Sequence, residues 1–444
     1  MVVLMRRIVV FTMLLVLLSG TVAAVHNNGG SSSGYWVDVA TDGFDDGYYF
    51  IVWSNESGAF GALYWVRNNT GAKNITIDDS GKAMEVGVAS KMSELVSGGS
   101  AEDNKYLVVW ERDSDGHLYG RLYDYQGNPL TDVFQIYDEH PVGDYVGVSY
   151  GGGYVVVLFG RASYSARNEL YYAVIDENGN IVDSGLLFDG KDRYTNGGAI
   201  KYLSLGYNPD LGVFGAVFRV ADDSGNYEVG FLKFKLLSNG HVDTSSIDYT
   251  PIDPATSKDA YHTSVAYTNG GFLAAYSRSG GTSERLVWYT CPVYIADDGS
   301  VSLGSTTQLF TDYNAGHGDL TFVENGTNNY LVFVWELRDN PDDNNDPFYL
   351  NIQRLKPDGT LLGSAETLIK ESNSKRNPAI VAKPAHSPET YIVVWIDDTD
   401  NKVQNSEYFY DLSEVSTTNE VPFFGNMAVA ALVLLGGLWL FRRR

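Results

Sequence analysis

Charged, histidine and tyrosine residues stand at both ends of the apolar strands that this chain repeats. One group follows the aromatic-tipped strands: Glu111, Arg112, Asp113, Arg161, Arg219, Glu336, Arg338, Asp397 and Asp398. A second group precedes the strands that open each repeat: Glu139, His140, Lys191, Arg193, Tyr313, His317 and Arg376. Gathered at one mouth, arginine, tyrosine and acids suit a sugar or a carboxylate-bearing ligand, since guanidinium forks match carboxylates and ligand sites need a few convergent polar groups. The plain alternative is that these charges solvate loops. Two carboxylates would serve a glycosidase, but with 55 acids in the chain their presence alone selects nothing. The Ser-x-Asp-x-Gly-x-Thr-Trp boxes of sialidases are absent. Seven histidines stand singly, without the spacing of a zinc site.

Calcium is the one cofactor the composition suggests. Asp339 to Asp346, with Asp342 and Asp343 between them, form a run dense in hard oxygen ligands, though not an EF-hand loop. A solvated acidic loop is the alternative. Asn55, Asn68, Asn74 and Asn325 open Asn-x-Ser/Thr sequons, which accept glycans on exported chains.

The elements that must position these residues repeat. Tyr106 to Trp110 reads Tyr-Leu-Val-Val-Trp, and degraded copies end at Trp53, Phe159, Phe218, Tyr276, Trp335 and Trp395, about 50–60 residues apart. Each copy is apolar on both parities, which suits a strand buried on both faces. A small alternating strand precedes it, as at Val146–Tyr150 or Thr263–Tyr267, and another strand follows, closed by a turn. Glycines 71, 127, 179, 240, 299 and 359 hold those turns in register. The expected fold is an all-β, seven-bladed β-propeller of four-stranded antiparallel blades over residues 35–412, with six blades plus a flanking strand pair as the alternative. The seventh unit lacks a clear fourth strand. The unit Asp115–Leu130, with its Tyr-Gly-Arg-Leu and Gly-Asn-Pro-Leu segments, resembles the repeats of prokaryotic surface propellers, archaeal ones in particular. That resemblance implies a fold and names no activity.

The ends carry their own signals. Residues 1–24 read as a secretory signal peptide: Arg6-Arg7, an apolar run and small residues. Residues 25–34 read as a polar leader acting as spacer, and residues 413–422 as a linker. Residues 423–441 are uncharged and, at about 1.5 Å per residue, about 28 Å long as a helix, which matches a membrane span. The basic tail, residues 442–444, is expected on the cytoplasmic side. Val421-Pro422-Phe423-Phe424-Gly425, the apolar helix and the arginine cluster resemble the C-terminal sorting signals processed by archaeosortase or exosortase enzymes. The expected topology is therefore an extracellular body anchored in the cell membrane.

A net charge of −24 argues against nucleic acid as partner, because phosphate binding needs a basic face. The single cysteine, Cys291, excludes an intrachain disulfide and reads as a packing residue. These features lead to the expectation of a non-catalytic, membrane-tethered scaffold engaging glycan, envelope protein or peptide at the channel mouth. A secreted carbohydrate-active enzyme is the alternative. A close carboxylate pair in a deep, Trp-lined mouth would favour the enzyme; a shallow polar mouth would favour the scaffold.

Overall fold

The aromatic-tipped segments are strands because β-branched and aromatic side chains pack well on a pleated surface buried on both sides. In the computed structural model, Tyr48–Asn55 and Thr390–Asp397 are buried at every position. The structure describes residues 26–27, 34–42, 47–65, 71–91, 100–161, 169–190, 200–224, 226–256, 260–279, 286–310, 315–323, 329–340, 346–370, 374–383, 390–397 and 402–409. All further structural statements concern these residues.

Each repeat opens with an inner strand: Gly34–Thr41, Ala83–Ser90, Val142–Gly151, Lys201–Asn208, Ala260–Thr268, Ala315–Val323 and Lys375–Lys383. The aromatic-tipped strand pairs antiparallel with it, and a third and fourth strand follow outward. Burial falls along that order. The fourth strand Leu361–Ile369 is mostly exposed, while its partner Tyr349–Leu355 is buried except at Arg354. Outer hairpins are set by local chemistry. Asp176 accepts hydrogen bonds from the backbone N–H groups of Asn178 and Asn180 at 2.8 Å each, and Gly179 takes φ +86°, a conformation open to glycine.

The core lies between neighbouring sheets. Phe50, Val52 and Leu63 of the first sheet meet Val86, Val108 and Trp110 of the next. Val37, Tyr49 and Ile51 of that same first sheet meet Ile392, Val394 and Val403 of the last. Trp110 and Trp395 are fully buried in seams of this kind, where large rings fill the space between sheets. Cys291 is buried beside Val293 and Tyr276, as a packing residue.

This is an all-β, multi-bladed, propeller-like fold, and it corrects the expected architecture. The strands form six sheets rather than seven separate blades. Five have four strands; the sixth has nine, because the strand sets beginning at Ala260 and Ala315 are joined by one pairing, Leu286 with Ala315. Nor are there six equal blades with a flanking pair, since the large sheet carries two inner strands. The leader expected as a spacer supplies His26–Asn27, which pairs with Gln404 and Asn405 and completes the last sheet. The seventh unit thus takes its fourth strand from the opposite end of the body.

The membrane anchor is corrected as well. Among the described residues no helix is long and apolar enough to cross a membrane, so anchoring of an extracellular body is not supported. The expected signal peptide, linker, spanning segment at 423–441 and basic tail lie outside the described residues. The resemblance to surface propellers holds at the level of an all-β, propeller-like fold and no further; an archaeal source, a surface location and a sorting-signal tail gain no support.

Candidate active site at the channel mouth

The inner strands surround a cavity of about 310 Å³ to which every one of the seven contributes. Their N-terminal ends pair with the C-terminal ends of the aromatic-tipped strands, as Lys201 with Arg219 and Lys375 with Asp397. The described candidates near those strand ends, such as Arg219 and Asp397, therefore stand at the end of the channel where the inner strands begin.

A local irregularity builds the lining. Each inner strand breaks register near its start: between Gly34 and Val37, Ala83 and Val86, Val142 and Val146, Lys201 and Ser204, Tyr261 and Thr263, Ala315 and Gly318, and Arg376 and Ala379. A bulge re-aims the side chain it carries. Here it gives the cavity Trp36, Glu85, Tyr145, Tyr202, His262, His317 and Asn377, one per strand. Four of these are non-glycine residues at positive φ: Tyr145 at 91°, Tyr202 at 56°, His262 at 31° and Asn377 at 49°. Backbone strain of this kind persists where surrounding structure holds it.

The rings form a connected wall. Trp36 meets Tyr145 edge-on at 5.2 Å and His317 at 5.5 Å. Tyr145 and Tyr202 lie 4.4 Å apart, Tyr202 and His262 5.0 Å, and the two imidazoles 3.7 Å. Beneath them sit two carboxyls, Asp38 and Asp319. Asp38 accepts from the N–H of Val88, on the next inner strand, at 2.8 Å. Asp319 accepts from Ser264 Oγ at 2.7 Å, Leu320 N at 2.8 Å and Ile380 N at 3.0 Å, so it ties three inner strands together.

Electrostatics divide these acids from a third. Burial pushes the Asp38 carboxyl up to about 7; the Val88 and Val39 N–H groups oppose the shift and the nearby charge of Asp319 adds to it. Burial also raises Asp319, against its three hydrogen bonds. Glu336 is fully buried, and burial alone would raise it too. His317 and Arg376 overcome that and hold its carboxyl below the usual range. His317 Nδ1 lies 3.1 Å from Glu336 Oε1, Arg376 Nε 3.5 Å from Oε2, and the N–H of Asn377 donates to Oε1. Desolvation, followed by the proximity of His317, Arg376 and Arg219, holds His262 well below the ordinary imidazole range.

Of the residues expected from sequence, His317 and Arg376 both meet Glu336. Arg338 joins them at Phe348, over which both guanidiniums lie, at 4.0 and 4.6 Å. Arg219 reaches the wall through Tyr202, 4.9 Å beneath its guanidinium. Others are committed elsewhere. Arg112 pairs with Asp78 at 2.8 Å, and Arg161 with Glu169 at 3.4 Å inside its own sheet. Glu111 is buried near the end of its strand, Asp397 pairs with Lys375, and His140 stands in the segment before Val142. Lys191, Arg193, Tyr313 and Asp398 lie outside the described residues.

In the acidic run Asp339 binds Lys370 at 2.6 Å and Asp346 accepts from the Asn340 N–H at 2.7 Å; Asp342 and Asp343 lie outside the described residues. Groups of three or more metal-ligating side chains are absent among the described residues. Of the sequons, Asn74 is exposed, whereas Asn55 is buried and accepts from the N–H groups of Ser57 and Gly58. Asn68 and Asn325 lie outside the described residues.

Sequence reasoning missed Trp36, Glu85, Tyr145, Tyr202, His262 and Asn377. Five of the seven lining positions are an aromatic or histidine placed directly before a small or branched residue that opens the alternating pattern, as Tyr145-Val146 and His262-Thr263. Aligning the repeats on that junction would have found them.

No protein-family model matches the chain, and no curated protein matches it. Several solved structures resemble it in strand arrangement. A prolyl endopeptidase superposes with a TM-score of 0.48 at 8% identity, over 87% of this chain and 48% of that one, so the chain spans about half that protein's length. An α-L-arabinanase from Penicillium chrysogenum gives 0.46 at 14% identity, over 76% of this chain and 100% of that one. AofleA from Arthrobotrys oligospora gives 0.42 at 8%, over 78% and 88%. At these values the likenesses assign no activity.

The expectation of a non-catalytic, membrane-tethered scaffold is corrected by the site and by the absence of a tethering helix among the described residues. The mouth is a cavity of about 310 Å³ lined by Trp36, Asp38 and Asp319, and the charge of Asp319 acts on the Asp38 carboxyl.

Proposed function

We propose that this chain is a secreted glycan-cleaving hydrolase whose site is the mouth of the central channel. The observation that carries the reading is Asp38. It lines the cavity beside Trp36, and burial brings its carboxyl to about 7. Glycoside hydrolysis needs one carboxyl still protonated at the working pH, to give its proton to the leaving oxygen. Asp38 takes that role. Asp319, which burial raises against three hydrogen bonds, is the second carboxyl, which in its ionised form activates water or attacks the sugar. Trp36, Tyr145 and Tyr202 offer ring faces on which a sugar stacks, and the secretory leader expected at residues 1–24 supports export.

The test is release of reducing ends from a panel of plant, fungal and bacterial polysaccharides by the full chain. Asp38→Asn should lower the rate by about a hundredfold or more, the usual contribution of a positioned acid. An unchanged rate in the folded variant, or no release from any polysaccharide, overturns the reading.

A further inference from the structure

Bond cleavage as proposed uses two of the three acids in the cavity. Among the described lining residues those acids are Asp38, Glu85 and Asp319, and no lysine or arginine lines the cavity with them. Glu85 is buried and has no part in the cleavage. It stands on the second inner strand where the register breaks, between Ala83 and Val86.

Aromatic rings flank it. Trp36 comes from the first inner strand and Tyr145 from the third, the two neighbours of the strand that carries Glu85. Their ring centroids lie 5.2 Å apart, edge to face, and Tyr202 follows 4.4 Å beyond Tyr145. The face of an aromatic ring is negative, so a cation within about 6 Å of its centroid is attracted to it. Carboxyls and ring faces therefore select the same sign of ligand charge.

The protein's own cations near the cavity are engaged outside its lining. Arg376 Nε lies 3.5 Å from Glu336 Oε2, and Arg219 Nη1 donates to the Ala260 carbonyl at 3.2 Å. Within the lining, His317 meets Glu336 at 3.1 Å, and desolvation, with the nearby positive groups, holds His262 neutral. Burial raises both Asp38 and Asp319, and the charge of Asp319 raises Asp38 further. A positive group on the ligand offsets that repulsion.

From this geometry we infer that the site takes an amino sugar, whose protonated amine lies against Glu85 between the rings of Trp36 and Tyr145. The inference rests on the glycan-hydrolase reading and adds the substrate class. It also gives the substrate an orientation: the amine lies on the Glu85 side and the bond to be cleaved faces Asp38 and Asp319.

The experiment compares binding of glucosamine, galactosamine and mannosamine with binding of glucose, galactose and mannose, which carry a hydroxyl in place of the amine. Calorimetry on the full chain at about pH 6 keeps the sugar amine protonated. At least one amino sugar should bind tenfold or more tightly than its neutral counterpart. Glu85→Gln keeps the size of the side chain, removes its charge and should reduce that preference to under threefold. Because Glu85 is buried, Trp36→Leu, at a half-buried position, is the second variant, and it should lower the preference about threefold. Equal binding of every amine and its counterpart by the wild-type chain overturns the inference. So does a preference that survives Glu85→Gln, or that survives Trp36→Leu where the first variant does not fold. Lysine amide binding more tightly than every amino sugar would assign the site to a basic peptide and overturn it as well. Cleavage of neutral glycans without amine preference would sink this inference and leave the hydrolase standing. Amine preference without cleavage of any polysaccharide would do the reverse.

Discussion

The two ends of the central channel are built from the same strands and differ in almost every physical respect. At the mouth, each inner strand bulges, and the lining includes Asp38, Glu85, His262, His317 and Asp319. Farther along, a second cavity of about 240 Å³ is lined by apolar residues such as Val39, Leu205 and Phe322 and by hydroxyl residues such as Thr41, Ser90 and Tyr207, with no acid, histidine, lysine or arginine among them. There the pairing is regular, as Val148–Val157 and Val265–Ala274 show. The far end satisfies its backbone by the strand ladder and its side chains by burial. The mouth gives up ladder regularity and accepts strained φ angles so that side chains face the channel. Regular pairing and the titratable lining are thus separated along one axis, within strands of 8 to 10 residues.

That separation is open to direct attack, beginning where the effect is largest. Phe322 lies 4.6 Å from Tyr267 and is nearly buried. Phe322→Ala should cost about 3–5 kcal/mol, the usual loss for a core ring, measured as a lower urea midpoint. It should leave the pH dependence of stability unchanged. If that pH profile moves, the two ends are coupled and the comparison fails.

Asp38→Asn is the reciprocal test at the mouth. The Asp38 carboxyl is raised in the folded state from 3.8 to about 7. Its contribution to stability is therefore fully present below about pH 4 and is lost as pH rises through 7. Asparagine does not titrate, but it presents only one acceptor oxygen to the Val39 and Val88 N–H groups, a penalty constant in pH. The stability difference, variant minus wild type, should therefore move in favour of the variant by on the order of 2–4 kcal/mol between pH 4 and pH 8. A difference that stays flat means that Asp38 is ionised in the folded protein at pH 4, and the proposed acid is lost with it.

The same contrast explains what was legible beforehand. The far end and the seams follow from binary patterning: Tyr106-Leu107-Val108-Val109-Trp110 announces a strand buried on both faces, and Glu177-Asn178-Gly179 announces a hairpin turn. The pairing of His26–Asn27 with Gln404 and Asn405 does not show, because two residues carry no period and their partner lies at the other end of the body. The joining of two strand sets through Leu286 and Ala315 is equally silent, being one bridge between segments that each read as ordinary. At the mouth, reasoning from loops found His317, Glu336 and Arg376 because charge beside an apolar strand stands out. It missed Tyr145, Tyr202 and His262, since a bulge displaces them from the alternation that would have marked them.

The smallest expected effect compares two positions of a single strand, Lys375–Lys383. Asn377 stands at the bulged end with φ 49°; Ala382 stands at the regular end, buried and paired with Tyr391. In the left-handed region a Cβ approaches a carbonyl oxygen, at a cost of about 1–2 kcal/mol that asparagine and glycine largely escape. In a strand interior glycine is instead disfavoured against alanine, by roughly 0.5–1 kcal/mol, because it loses more freedom on folding. The preference between the same two residues should therefore invert within five positions of sequence. At position 377, Asn377→Gly should lie within about 0.5 kcal/mol of wild type and Asn377→Ala about 1 kcal/mol below it. At position 382, Ala382→Gly should be the destabilised protein. Urea midpoints of the three variants decide it. If glycine is worse than alanine at both positions, Asn377 is held by its contacts rather than by its backbone, and the bulge at the mouth is not the strained device described here.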